Sequence, residues 1–364
     1  MALTRIEIED FRCLERIALG LDRRYNLFVG PNASGKTSLL EALFFLGRGR
    51  SFRTRRLDRL VRQGRDNFRI VGWVNADNLT TVLGIGGNRR GTEVRIGGAP
   101  ASVAAELATH FPPQIIDPEV HKLLEEGPHR RRRFLDWGVF HVEPRFLDAW
   151  HRYHRSVRQR NSALKPGADP RTIPTWEAEI VAAGVVLDRF RRDYLELLDP
   201  VLSRLGERLL NLPVSMAYHA GWPGDETLAE ALERSRDRDR RHGVTHVGPH
   251  RADVTVRVDG LVARERVSRG QQKLLAAALT LAQLDVHEAR APRTGALLLD
   301  DPAAELDTES LARLLAVVRE TSAQLFVTAL RPDLPGLGRP GAVFHVEQGK
   351  IVAVGDGPEF VDNN

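Results

Sequence analysis

The chain of 364 residues has one cysteine, Cys13, two methionines, four tyrosines and only five lysines. A lone thiol excludes any intrachain disulfide and points to a reducing, cytoplasmic setting. No apolar run approaches the roughly 18 residues a membrane span needs. The opening segment carries Arg5, Glu7, Glu9 and Asp10, charges a secretory leader would not tolerate. A cytoplasmic protein without membrane attachment is expected. No zinc finger or other base-reading motif is visible, and no internal repeat. Arginine is what the chain has in excess. Lys and Arg total 53 against 48 Asp and Glu, a net charge of +5, and 42% of residues are hydrophobic. This is a globular composition, long enough for one large or two ordinary domains. Its basic balance suits an anionic partner such as nucleic acid, or a GC-rich genome that favours arginine codons.

Lysine is scarce, so Lys36 stands out. It belongs to Gly30, Pro31, Asn32, Ala33, Ser34, Gly35, Lys36 and Thr37, which fit the phosphate-loop pattern of two glycines followed by Lys and Thr. The apolar run 25–29 before it reads as a buried strand, and the run 38–46 after it as an apolar-faced helix. Loop N–H groups and the helix start together form a nest for a β-phosphate. Lys36 is placed to reach the β- and γ-phosphates of ATP, and the Thr37 hydroxyl to ligate Mg²⁺.

Such a loop needs an acid on a neighbouring strand. Ala296, Leu297, Leu298 and Leu299 predict a buried strand that ends in Asp300 and Asp301. Carboxylates at the C-terminal end of a parallel strand sit where ligands bind. Asp300 is the candidate metal-side acid, and Asp301 the candidate general base for water. A third element, Ser268, Gly270 and Gln271, opens the helix 268–290. Ser268 and Gln271 have capping-box spacing, and the same exposed N–H groups can hold a γ-phosphate. The order loop, Ser-x-Gly-Gln helix, acid strand is that of ABC-type ATPases.

Around these motifs the first hundred residues predict strands at 3–9, 68–74 and 94–96. Asp117 and Pro118 predict a helix start, with Gly127 as its stop. From there to about residue 240 the pattern is helical. Phe146, Trp150, Tyr153 and Val157 recur at helical spacing, and Ile180, Ala183, Leu187, Phe190, Tyr194 and Leu197 form a packing seam. Pro200 should break or kink that helix. Residues 165–170 predict a hairpin tip between helices. Later strands are expected at 254–258 and 261–266 about an Asp259, Gly260 turn, at 324–328, and as a closing hairpin 342–346 and 351–354. The fold class is α/β. An ABC-type P-loop lobe is split in sequence into 1–110 and 241–364, with a mainly helical lobe inserted at 111–240.

Taken together, the motifs resemble the RecF family of bacterial recombination-mediator ATPases, ABC-type relatives of the SMC proteins. The matching stretches are residues 8–12, 30–37, 49–54, 132–136, 248–251, 268–272 and 297–301, with Glu305, Leu306 and Asp307. Ala252, Lys273 and Ala304 depart from the pattern. The resemblance implies a DNA-binding protein of recombinational repair and replication restart, in which ATP drives a homodimer clamp. Ser268, Gly270 and Gln271 would then cap a partner's nucleotide. Double-stranded DNA and its junctions with single strands, help in loading recombinase at gaps, the RecR and RecO mediator proteins, and slow hydrolysis acting as a timer are implied in the same way.

Arg48, Arg50, Arg53, Arg55 and Arg56 crowd nine positions and are the candidate DNA-phosphate contacts. The runs 130–133 and 233–241 read instead as ion-paired or solvated helix faces. His242, His246 and His250 recur every four residues, but Gly243, Gly248 and Pro249 forbid a regular helix, so a metal face is not expected. Cys13 reads as a core residue. The rival readings are a transporter ATPase subunit and an SMC-like protein with a long coiled-coil arm. Against the first, the inserted region is too basic and helical, and Thr328 ends the strand where a transporter's usual histidine would stand. Helices of at most about 25–30 residues, roughly 40 Å, are too short for the second.

Overall fold

The computed structural model describes residues 1–77, 79–101, 105–291, 294–304, 306–334 and 336–353. Glu305 of the acidic segment and Val354 of the closing strand lie outside them. The chain divides into two compact units, Met1–Val120 with Ala291–Asn364, and His121–Arg290. The segment 241–290, grouped above with the nucleotide lobe, packs with the helices of the second unit. The strand Pro113–Ile116 belongs to the first unit because its backbone pairs with Ala296–Leu299.

In the first unit, one sheet runs Leu14–Gly20, Ala2–Phe11, Asn67–Ala76, Leu79–Asn88, Thr92–Ile96, Ala99–Pro100, antiparallel throughout. The other runs Lys350–Ala353, Ala342–Glu347, Tyr25–Val29, Gln324–Ala329, Ala296–Leu299, Pro113–Ile116. Its last five strands are parallel. Every residue of Tyr25–Val29, Gln324–Ala329 and Ala296–Leu299 is buried, as a parallel sheet covered on both faces requires. Helix Lys36–Arg48 meets strands of both sheets, which explains why it is apolar nearly all round. Leu39, Leu40, Leu43 and Phe45 are fully buried, each contributing roughly 1.5–3 kcal/mol. Phe45 packs tilted on Phe11 and edge-on to Phe68. Gly72 lets the helix approach the antiparallel sheet, since a Cβ there would stand 2.4 Å from Leu46.

The second unit holds helices Pro128–Val142, Phe146–Ala163, Ile173–Leu210, Leu228–His242 and Arg269–Arg290 beside a small sheet of Val214–His219, Asp253–Val258 and Leu261–Val262. Two buried arginines tie it together. Arg160 bonds Glu177, Asp239 and Thr245, and Arg191 bonds Asp136 and the Pro249 carbonyl. Buried guanidinium groups persist only when paired in this way.

Several expectations change. Helix Ile173–Leu210 runs 38 residues through Pro200 without a break. Pro200 is exposed, so water can satisfy the carbonyl its ring leaves unbonded. Asp117 caps only a turn, accepting from the Glu119 N–H at 3.1 Å, and the helix there is Lys122–Glu125. Gly127 is the N-cap of the next helix instead of a stop. Asp259 and Gly260 adopt left-handed φ of 53° and 76°, a two-residue hairpin turn. The strand after them ends at Val262, and residues Ala263–Arg266 are helical.

Candidate nucleotide site

The loop after Tyr25–Val29 is shaped by its glycines. A Cβ on Gly30 would stand 2.2 Å from the Val346 carbonyl oxygen, and Gly35 has φ +114°. Pro31, Asn32 and Ala33 are exposed at the loop's crest. The Ser34 N–H donates to the Pro31 carbonyl at 3.3 Å, while its buried Oγ has no partner among the described residues. Lys36 folds back, its Nζ donating to the carbonyls of Gly30 at 2.6 Å and Pro31 at 2.9 Å. Burial holds its pKa below the ordinary lysine value, and the fields of Asp301 and Asp300 oppose that fall. An ammonium whose hydrogen bonds among the described residues go only to two loop carbonyls is poised to turn toward an anion.

Strand Ala296–Leu299 delivers the acids. Thr37 Oγ1 lies 2.9 and 3.0 Å from the two Asp300 oxygens. The loop and the acid strand therefore converge on one point, although Gln324–Ala329 lies between their strands in the sheet. Burial raises the Asp300 pKa above the usual carboxylate range, and hydrogen bonds from Thr328 and Thr37 oppose that rise. A hydroxyl beside a carboxylate is a hard-oxygen donor set that fits Mg²⁺. Asp301 is half-buried with a left-handed φ of 47°, a conformation costing a non-glycine residue on the order of 1 kcal/mol or more.

A further cluster backs the loop. Glu41, fully buried in helix Lys36–Arg48, accepts from Arg12 Nε at 2.9 Å and Nη2 at 2.7 Å, from Ser51 Oγ, and from Arg53 Nη1 at 3.4 Å. The signal for it was an acid amid an otherwise apolar helix face. This cluster sorts the five candidate arginines. Arg53 is drawn toward the site, its field lowering the Asp300 pKa. Arg48 lies over the Phe44 ring, Arg50 is half-buried, and Arg56 pairs with exposed Asp58. Arg55 is exposed and unpaired among the described residues.

The third motif lies in the second unit. Ser268 and Gly270 are exposed at the start of helix Arg269–Arg290, and Gln271 is half-buried. The capping box forms: the Ser268 N–H donates to Gln271 Oε1 at 3.0 Å, and the Gln271 N–H to Ser268 Oγ at 3.4 Å. A Cβ at Gly270 would meet nothing within 4 Å.

The histidine series is dispersed into separate bonds. His242 bonds the Arg238 carbonyl, His246 bonds Asp239, and His250 bonds Tyr153. Among the described residues no cluster of three or more His, Cys, Asp or Glu could hold a metal ion. Cys13 is not a core residue. It is exposed in the turn after Ala2–Phe11, with Sγ 3.6 Å from Ser38 Oγ, while flanking Phe11 and Leu14 take the core places.

The RecF/RecN/SMC N-terminal domain family matches residues 2–350. The DNA replication and repair protein RecF of Azotobacter vinelandii is 40% identical over 98% of this chain and 100% of its own. That of Pseudomonas aeruginosa strain LESB58 is 40% identical over 96% and 97%. The chain belongs to the RecF family of DNA replication and repair proteins. A solved structure of the recombination mediator protein RecF with ATP, from the RecFOR pathway, superposes with TM-score 0.88 at 26% identity, covering 97% of this chain and 98% of that one. An Smc head bound to the C-terminal winged-helix domain of ScpA shares the fold alone, with TM-score 0.59 at 16% identity.

Membership in the RecF family favours the repair reading over the transporter and the long-armed SMC protein. Among the described residues no helix is long and apolar enough to cross a membrane. Helix Ile173–Leu210 exceeds the length expected above, but its antiparallel neighbour Phe146–Ala163 has 18 residues. The pair is therefore limited to roughly 27 Å at 1.5 Å per residue.

Proposed function

We propose that this chain is a cytoplasmic, ATP-dependent DNA-binding protein of recombinational repair and replication restart. Two copies close on two ATP molecules and hold duplex DNA, with weak hydrolysis releasing them. The observation that carries the nucleotide reading is the meeting of Thr37 with Asp300 beside a lysine that, among the described residues, bonds only its own loop. The loop from Gly30 to Thr37 would cradle the β-phosphate, with Lys36 turning to the β- and γ-oxygens. Thr37 and Asp300 would hold Mg²⁺, which when bound neutralises phosphate charge. Asp301 would accept the proton of the attacking water.

Ser268, Gly270 and Gln271 would meet the γ-phosphate of a second copy. Glycine within a helix is less favourable than alanine, and among the described residues no contact requires one at position 270. Close approach from outside gives it a reason. Only a triphosphate spans both halves, so ATP would favour the dimer and ADP would not. Residues 241–290 would then serve the nucleotide lobe functionally while packing with the helical unit.

Arg55, with Arg48, Arg50, Arg53 and Arg56, would add phosphate contacts that two copies combine by avidity. RecO and RecR are the mediator partners proposed from the family. Light scattering with ATP, ADP and no nucleotide tests the clamp, with Lys36→Met as control. A doubled mass with ATP alone is expected. Equal mass in all three states would refute it. DNA retention should follow the ATP dimer and fall steeply with salt.

A further inference from the structure

Thr328 is the penultimate residue of strand Gln324–Ala329, beside the acid strand, and is completely buried. Its hydroxyl has one proton to give and lone pairs to receive. Oγ1 donates to Asp300 Oδ1 at 2.8 Å and accepts the Asp301 backbone N–H at 2.9 Å. The Leu299 carbonyl, at 3.5 Å, is too distant to compete for the proton. The two strands pair in parallel up to Leu299 opposite Val327. The Asp300 N–H still reaches the Ile116 carbonyl on the other neighbour at 3.0 Å. The next N–H, that of Asp301, is received by a side chain and not by another backbone carbonyl. There the chain leaves the sheet with Asp301 at φ 47°.

The geometry points to Thr328 as the positioning residue for both acids: one hydroxyl orients the Asp300 carboxylate and fixes the backbone from which Asp301 projects. This inference rests on the nucleotide reading above. The Asp300 carboxylate has two hydroxyl donors, Thr37 and Thr328. Thr37 is the one proposed to turn its lone pair to Mg²⁺, so Thr328 would remain as the fixed donor when Mg-ATP is bound. A threonine branch rooted in a buried strand, where χ1 is restricted, suits a donor that must not move. Loss of such an outer bond commonly costs 10–100-fold in metal affinity or activity.

The test compares Thr328→Val and Thr328→Ala, which remove the hydroxyl, with Thr328→Ser, which keeps it. Three quantities are read: ATP turnover split into kcat and KM, the Mg²⁺ concentration giving half-maximal ATP binding, and hydrogen exchange at the Asp301 amide without nucleotide. The hydroxyl-free chains should lose about 10-fold or more in kcat and need about 10-fold more Mg²⁺. Their KM for ATP at saturating Mg²⁺ should change little, and the Asp301 amide should exchange faster. Serine should restore all three. Wild-type values in both hydroxyl-free chains would overturn the assignment, as would a serine chain as impaired as alanine. If the wild type neither binds nor turns over ATP, the nucleotide reading fails on its own, and the Asp301 amide still decides whether the hydroxyl fixes that backbone.

Discussion

The phosphate loop and the Ser268 helix start both present backbone N–H groups, yet their own chain treats them differently. At the loop, Gly30 and Gly35 are demanded from within: one sits against the Val346 carbonyl, the other adopts a left-handed φ, and Lys36 closes the loop on its own carbonyls. At the helix start, Gly270 is exposed, with open space where a side chain would go. The first site has its glycines and its lysine accounted for by the fold, with the buried Ser34 Oγ left without a partner among the described residues. The second is capped by Ser268 and Gln271 but carries a glycine that no contact among the described residues explains. That contrast is what a site shared between two copies would leave behind, with one half built by the fold and the other kept clear for a visitor.

The largest expected effect separates holding ATP from spending it. Asp301→Asn should lower turnover by about 10²–10⁴-fold, the usual contribution of a general base. ATP binding and the ATP-dependent mass should persist, because neither half of the shared grip is touched. A steady-state assay beside light scattering checks this; loss of the dimer in step with turnover would contradict the division of labour.

Next is Lys36→Met. Removing the ammonium proposed to turn to the phosphates should weaken ATP binding on the order of 100-fold, since one partner of a desolvated charge pair is worth about 2–5 kcal/mol. The fold should survive, because its internal bonds there are only two carbonyl contacts. Fluorescent-nucleotide titration with thermal melting separates the two outcomes. Unchanged ATP affinity would remove Lys36 from the site.

Much of this was legible in the sequence because it is local. The strand, glycine loop and helix from Tyr25 to Arg48 follow from a buried run, a turn and a helical period in direct succession. Ser268 and Gln271 are three residues apart, and their capping box formed as spacing predicts. What stayed hidden depends on distant pairing. Arg12 and Glu41 are 29 residues apart and meet only because the helix packs on the first strands. Thr328 reads as the last residue of a buried strand, and only the strand order reveals what its hydroxyl touches. Cys13 misleads because it sits between Phe11 and Leu14, both fully buried, yet occupies the turn itself. Pro200 misleads because its ring removes one helical hydrogen bond, but at an exposed position water can satisfy the freed carbonyl and the long helix runs on.

The glycine contrast can be turned into a pair of opposite effects. Gly35→Ala should destabilise the first unit by about 1–3 kcal/mol, because alanine must hold a φ of +114°. Gly270→Ala should leave the second unit as stable or stabilise it by up to about 1 kcal/mol, while weakening the ATP dimer by about 10-fold through its intruding methyl group. Urea unfolding and dimer dissociation, measured on both variants, give the signs. A Gly270→Ala chain that unfolds more readily would show an internal reason for the glycine.

The smallest effect concerns acid, where the two units respond in opposite directions. In the second unit burial lowers the pKa of both His154 and His250 to about 4. The unfolded chain takes up those protons near pH 6.5, so their stabilising contribution is complete above that pH and is lost as pH falls toward 4. At pH 5 each histidine should withdraw about 1 kcal/mol, after allowance for partial solvent exposure. Asp300 in the first unit has a raised pKa, so its ionisation weakens the fold at neutral pH and protonation relieves it. Hydrogen exchange at pH 7 and pH 5 should therefore show the helical unit losing protection first. Burial holds His250 neutral, against the raising effect of its Thr245 bond; the imidazole bonds Tyr153 Oη at Nδ1 and the Thr245 carbonyl at Nε2. A carbonyl can only accept, so Nε2 carries the proton and the tyrosine donates to Nδ1. A second proton on Nδ1 would face that hydroxyl hydrogen and turn it away. Glutamine offers one donor and one acceptor without titrating, so His250→Gln should reduce the acid sensitivity of the helical unit by about half, while an unchanged pH slope would place the titration elsewhere.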